Sequence, residues 1–82
     1  MPIEIIIITD VFGNIKPLRF RMQIQQKPYL VVNIDKIKTK NTLKICGIIN
    51  QVCTCTSIIN NIEKIYELRF NTKSCIWVLY KI

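Results

Sequence analysis

The sequence predicts an all-β domain. Its 82 residues include no alanine and are rich in isoleucine, whose β-branched side chain suits pleated surfaces better than helices. Several stretches alternate apolar and polar residues with a period of two, and clusters of Asn, Thr, Gly and Pro punctuate them.

Residues 3–9 form the first strand. The run from Ile5 through Ile8 leaves neither face polar, so cover is expected on both sides, as in a central or barrel strand. Residues 10–14 make a turn, with Gly13-Asn14 able to adopt positive φ and Asp10 placed to stabilise it through its side chain. Pro17 marks the entry of a second strand, where a missing N–H is tolerated. There Leu18, Phe20, Met22 and Ile24 alternate with Arg19, Arg21, Gln23 and Gln25, which sends the apolar row to the core and the arginines to solvent.

Residues 26–28 break this pattern. A third strand follows at 29–38, with Leu30, Val32 and Ile34 inward, and a turn at 39–42. The stretch 43–57 is long for one strand, and Gly47 in its midst suggests a bulge or bend. It is expected to curve sharply or to serve two neighbouring strands. Asn60-Asn61 is the next turn.

The C-terminal stretch 64–82 reads as a hairpin. Tyr66, Leu68 and Phe70 lie on one side, and the returning strand carries the single tryptophan. With a loop at 71–74, Phe70 faces Cys75, Leu68 faces Trp77 and Tyr66 faces Leu79, three apolar cross-strand pairs.

Together these segments give one domain over 1–82, about six antiparallel strands in a meander. Short turns throughout imply a small, partly open barrel of SH3-like or OB-like shape. A chain this short buries only roughly 60–65% of its unfolded surface. On the last strand Ile76, Val78, Tyr80 and Ile82 are apolar on the side opposite Trp77, so both terminal strands seek cover on two sides. The termini pair and close the barrel, or a homodimer buries the surplus.

The net charge of +7 invites a nucleic-acid reading, because a basic surface attracts phosphates. Two basic sets are candidates: Arg19 and Arg21 on the second strand, and Lys36, Lys38, Lys40 and Lys44 around the expected 39–42 turn. Arginine beside an aromatic such as Phe12, Tyr29 or Tyr80 suits single-stranded nucleic acid. The same lysines would equally serve as a solvated edge that discourages aggregation.

Four cysteines, Cys46, Cys53, Cys55 and Cys75, raise the question of zinc. Alternate residues on a strand point the same way, so Cys53 and Cys55 could share an ion that the other two complete. The spacing lacks the C-x2-C knuckles of structural zinc sites, and buried cysteine more often packs as a small hydrophobe. Cys75 beside Trp77 reads as packing. Without histidine, no cysteine has a base to activate it. The acids Glu4, Asp10, Asp35, Glu63 and Glu67 are scattered, which argues against paired-carboxylate chemistry. Non-enzymatic character and no cofactor are therefore expected. The 5–8 run is too short for a membrane span or a signal core, which predicts no membrane partner, a cytoplasmic location and reduced thiols.

Pro17-Leu18-Arg19-Phe20-Arg21, Ile34-Asp35-Lys36-Ile37 and Tyr66-Glu67-Leu68, followed by Cys75, Trp77 and Leu79, resemble segments of a group of small uncharacterised proteins of low-GC Gram-positive bacteria. The resemblance implies a bacterial cytoplasmic protein and brings no catalytic residues. The residues themselves point to a binding module whose partner is another protein or a second copy, with single-stranded nucleic acid and zinc as the alternatives.

Overall fold

A computed structural model describes residues 1–23 and 29–81. It is all-β, with seven strands: β1 (Glu4–Thr9), β2 (Ile15–Gln23), β3 (Tyr29–Asn33), β4 (Lys36–Ile45), β5 (Ile48–Ile59), β6 (Ile62–Asn71) and β7 (Ile76–Tyr80). They form two antiparallel sheets in sequence order, β1-β2-β3 and β4-β5-β6-β7. The meander is as expected, and the two sheets face each other without closing into a barrel. Ile24, the 26–28 break and Ile82 lie outside the described residues.

The extra strand arises where 29–38 was expected to be continuous. The chain instead changes sheets at Ile34-Asp35. Ile34 N–H still donates to Leu18 O of β2 (3.0 Å), whereas Asp35 N–H donates to Thr56 O of β5 (3.0 Å). The Asp35 carboxylate fixes the crossover by accepting from Ile58 N–H at 2.9 Å. The expected turn at 39–42 is the middle of β4. Its polar residues belong to an exposed edge strand, where side chains of either face meet water.

The reversals explain most of the register. Cys46 and Gly47 both have positive φ (50° and 79°), as do Asn60 and Asn61 (53° and 64°). Each pair forms a two-residue connection, between Ile45↔Ile48 and Ile59↔Ile62. Positive φ at both central positions matches the right-handed twist of the flanking strands. Gly47 therefore reverses the chain rather than bending a strand, while Asn60-Asn61 turns where expected.

In β2 the pairing steps from Ile6↔Arg19 to Ile7↔Pro17, which leaves Leu18 as the extra residue of a bulge. Pro17 is buried inside the strand, not at its entry. A bulge interrupts the ladder, so the missing N–H costs no hydrogen bond there.

The core joins both sheets: Phe20, Met22 and Val32 from one, and Cys53, Cys55, Tyr66, Leu68, Trp77 and Leu79 from the other. Tyr66 meets Phe20 edge-on at 5.5 Å between ring centres. A short polar relay crosses the interior. The Ser57 hydroxyl donates to Asn33 O (2.7 Å) and accepts from the Tyr66 hydroxyl (2.6 Å). Burial of the phenol pushes its pKa up to about 12.

The C-terminal hairpin keeps its predicted faces with a different register. Observed partners are Phe70↔Trp77 and Leu68↔Leu79, a slide of two residues from the expected pairs. A two-residue slide preserves which side each residue faces. Asn71 remains in β6 and caps a four-residue loop shifted by one to 72–75, its Oδ1 accepting from Lys73 and Ser74 N–H (2.9 and 3.0 Å). Cys75 consequently sits in the turn, exposed and at φ 60°, not packed against Trp77.

The termini do pair. Pro2 bridges Val78, Ile3 N–H donates to Trp77 O (3.1 Å), and Leu79 N–H donates to Met1 O (2.8 Å). The segment leading into β1 thereby borders the β7 edge and ties the sheets at one corner.

Candidate interaction surface

The first strand departs from expectation in a way that creates a surface. β1 is an edge strand covered on one side only. Ile5 and Ile7 pack toward the core, while Ile6 and Ile8 stand out, each about half exposed. Alternation places Arg19 and Arg21 of β2 and Tyr29 and Val31 of β3 on the same outer side. The cross-strand rows read Ile6↔Arg19↔Asn33 and Glu4↔Arg21↔Val31.

Arg21 organises this face. Its Nε lies 2.6 Å from Glu4 Oε2, and its guanidinium carbon is 4.3 Å from the centre of the Tyr29 ring. An exposed ion pair of this kind contributes at most about 1 kcal/mol to stability. Its effect here is to hold an arginine and a tyrosine in set positions beside exposed aliphatic side chains. A shallow depression of about 430 Å³ is lined by Glu4, Ile6, Arg19, Arg21 and Val31.

The face expected on β7 is narrower than the sequence implied. Ile76 and Tyr80 are exposed, but Val78 is partly covered. Arg69 lies over the Tyr80 ring at 4.2 Å and bonds Glu67 Oε1 at 3.2 Å. Lys81 also reaches Glu67, at 3.4 Å. A small groove of about 250 Å³ runs from the β4–β5 turn to Val78 and Tyr80.

The two basic sets fall on different sheets. Arg19 and Arg21 belong to β2, whereas Lys36, Lys38, Lys40 and Lys44 are strung along β4, the edge of the other sheet. The lysines form a strand row, not a cluster around a turn. One of them ties the sheets together, since Lys40 Nζ donates to Ile15 O at 2.9 Å. Lysine-studded edges resist pairing with a further strand.

The cysteines are divided. Cys53 and Cys55 share the inner face of β5, as their spacing required, but that face is the core. Burial pushes both thiols up, Cys55 to about 12, and a thiol held neutral is a poor nucleophile. Cys46 and Cys75 are exposed in two separate turns. Among the described residues no three His, Cys, Asp or Glu side chains come together as a metal ion requires.

Asp10 serves its turn as expected. It accepts from the Asn14 side chain (3.0 Å) and from the backbone N–H groups of Asn14 and Phe12 (2.9 and 2.8 Å), and these bonds lower its pKa. Among the described residues, no helix is long and apolar enough to cross a membrane. The chain matches no family model, no curated protein and no solved structure.

Sequence reasoning overlooked Ile6, Ile8 and Val31 as surface residues. For the isoleucines the signal was present in Glu4, which shares their side of β1 and is unsuited to a covered face.

Proposed function

We propose that this chain is a non-enzymatic interaction domain that binds a second copy of itself through the outer face of β1, β2 and β3. The observation that carries the reading is the set of Ile6, Ile8, Val31 and Tyr29, all exposed on one sheet face beside a pre-positioned Arg21. Arginine, tyrosine and exposed aliphatics are the residue types that carry binding energy at protein interfaces. The face also bears both signs of charge. Across a two-fold axis Arg19 of one copy could meet Glu4 of the other, and such isologous matching is how most homodimers form.

The lack of catalytic character rests on the neutral, buried thiols of Cys53 and Cys55 and on an Asp10 committed to its turn. A reducing cytoplasm suits four free cysteines. Light scattering across a concentration series tests the proposal. A dimer is expected for the wild type and a monomer for Ile6→Lys/Val31→Lys. A wild-type chain that stays monomeric at high concentration contradicts self-association.

Single-stranded nucleic acid is the second reading, favoured by Arg19, Arg21 and Tyr29 sharing one face. Arg21, however, is paired with Glu4 and occupies the Tyr29 ring, which leaves Arg19 as the available one of the two arginines. Oligonucleotide binding at low salt that weakens in Arg19→Ala/Arg21→Ala would support this reading, and no binding would end it.

A further inference from the structure

We propose that the β1–β2 turn is a membrane-contacting tip, in which Val11 and Phe12 enter the interfacial layer of an anionic lipid surface. The site is separate from the β1–β3 face and does not rest on dimer formation. Sequence reasoning expected no membrane partner because no segment is long enough to cross a bilayer. A segment too short to span a bilayer can still touch its surface.

Val11 and Phe12 are 92% and 87% exposed, more than any other large apolar residue of the described chain. They stand next to each other at the point of the hairpin, beyond the last pair, Thr9↔Ile15. Two adjacent apolar side chains in full contact with water are unfavourable in proportion to the apolar surface that could be covered.

The turn beneath them is tightly bonded. Asp10 accepts from Phe12 N–H and Asn14 N–H, Gly13 N–H donates to Asp10 O (3.1 Å), and Gly13 takes φ 85°. The side chains are therefore presented on an ordered backbone, so contact sacrifices little conformational freedom.

Charge selects the occupant. Lys16 lies one rung behind the tip, opposite Ile8, and Lys40 is bonded to Ile15 O at the base of the turn. The nearby acid, Asp10, has both oxygens engaged by the turn. The whole chain carries +7. Apolar side chains that enter the acyl boundary, backed by lysines at headgroup level, match an anionic membrane surface. Stacking on nucleic acid would use Phe12 but leave Val11 without a role.

Co-sedimentation with phosphatidylcholine vesicles, alone or mixed with phosphatidylserine, tests the proposal at low salt. The wild type is expected to pellet with the mixed vesicles and to release as salt rises. Val11→Ser/Phe12→Ser is expected to weaken binding by about tenfold or more. These side chains are almost free of protein contact, so the variant keeps its fold.

Insertion is read directly with Phe12→Trp on mixed vesicles that carry brominated acyl chains. The emission this substitution adds should be quenched, while that of Trp77, 5% exposed in the core, should not. Absence of wild-type binding overturns the proposal. So does equal binding of the double serine variant, or unquenched emission from vesicle-bound Phe12→Trp, since either shows adsorption by charge alone. A tip that ignores vesicles yet is needed for the dimer in light scattering also overturns it, and assigns Phe12 to a protein contact.

Discussion

The β6–β7 and β1–β2 hairpins are built from similar residues and put them to opposite uses. In β6–β7 the apolar row faces inward, Leu68 has no exposed surface, and Phe70 stacks on Trp77 with ring centres 5.0 Å apart. In β1–β2 the inward row is just as apolar, but the outward row adds Ile6, 48% exposed, and Ile8, and the turn adds Val11 and Phe12. What separates the two is what lies outside each hairpin. The outer side of β6 carries Glu67 and Arg69, which pair with each other and reach Tyr80 and Lys81. The outer side of β1 carries isoleucines with a single acid, Glu4. One hairpin ties the charges among its exposed Ile65 and Ile76 into pairs of its own, and the other joins its exposed isoleucines to a bare apolar turn and leaves them for a partner.

This contrast can be broken by substitution. Leu68→Ala should cost about 2–5 kcal/mol, because it opens a cavity in a fully packed site. Ile6→Ala should change monomer stability by at most about 0.5 kcal/mol. Urea unfolding of both variants, measured at dilution so that association does not contribute, checks the ranking. Comparable losses would erase the distinction between the hairpins.

The polar relay comes next in size. Ser57→Ala leaves the Tyr66 hydroxyl and Asn33 O without their partner, at a cost of about 1–3 kcal/mol. Tyr66→Phe should recover part of that loss in the double variant, because the remaining buried hydroxyl is then gone.

The interior also fixes the alkaline limit. Tyr66 titrates near 10 when unfolded and near 12 in the core. Its contribution is complete below pH 10 and declines as pH rises from there to about 12. Cys55, raised from 9.0 to about 12, acts in the same direction and begins its decline at about pH 9. Unfolding followed by circular dichroism should therefore show stability falling above pH 9, less steeply for Tyr66→Phe. An unchanged slope would remove the buried phenol from the explanation.

The alternation at 18–22 and 66–70 was legible because each of those strands has one core face and one wet face. The Asn60-Asn61 reversal was legible because asparagine tolerates positive φ. The sheet switch at Ile34-Asp35 was hidden: a period of two continues unbroken when a strand leaves one partner for another. Residues 39–42 looked like a turn because an edge strand in water has no apolar row to declare it. Cys46 and Cys75 gave no hint of their left-handed backbone, which cysteine seldom adopts. The run from Ile5 to Ile8 showed that both faces of β1 are apolar but not which of them the fold would cover. The site was thus legible in its arginines, while its isoleucines were marked only by Glu4 at the same period of two.

The smallest expected effect concerns one of those hidden turns. Cys46→Asn places a residue tolerant of φ near 50° in the β4–β5 connection and should stabilise the chain by roughly 0.5 kcal/mol. Thermal melting in reductant checks the sign.

The central claim is that the outer face of β1–β3 is where this chain meets another copy of itself. Methyl NOEs measured across a dimer of isotope-labelled and unlabelled chains test it most directly. Intermolecular contacts from Ile6, Ile8 and Val31 are the expected result. Contacts that arise from Ile76 instead, or no intermolecular contacts at all, would contradict it.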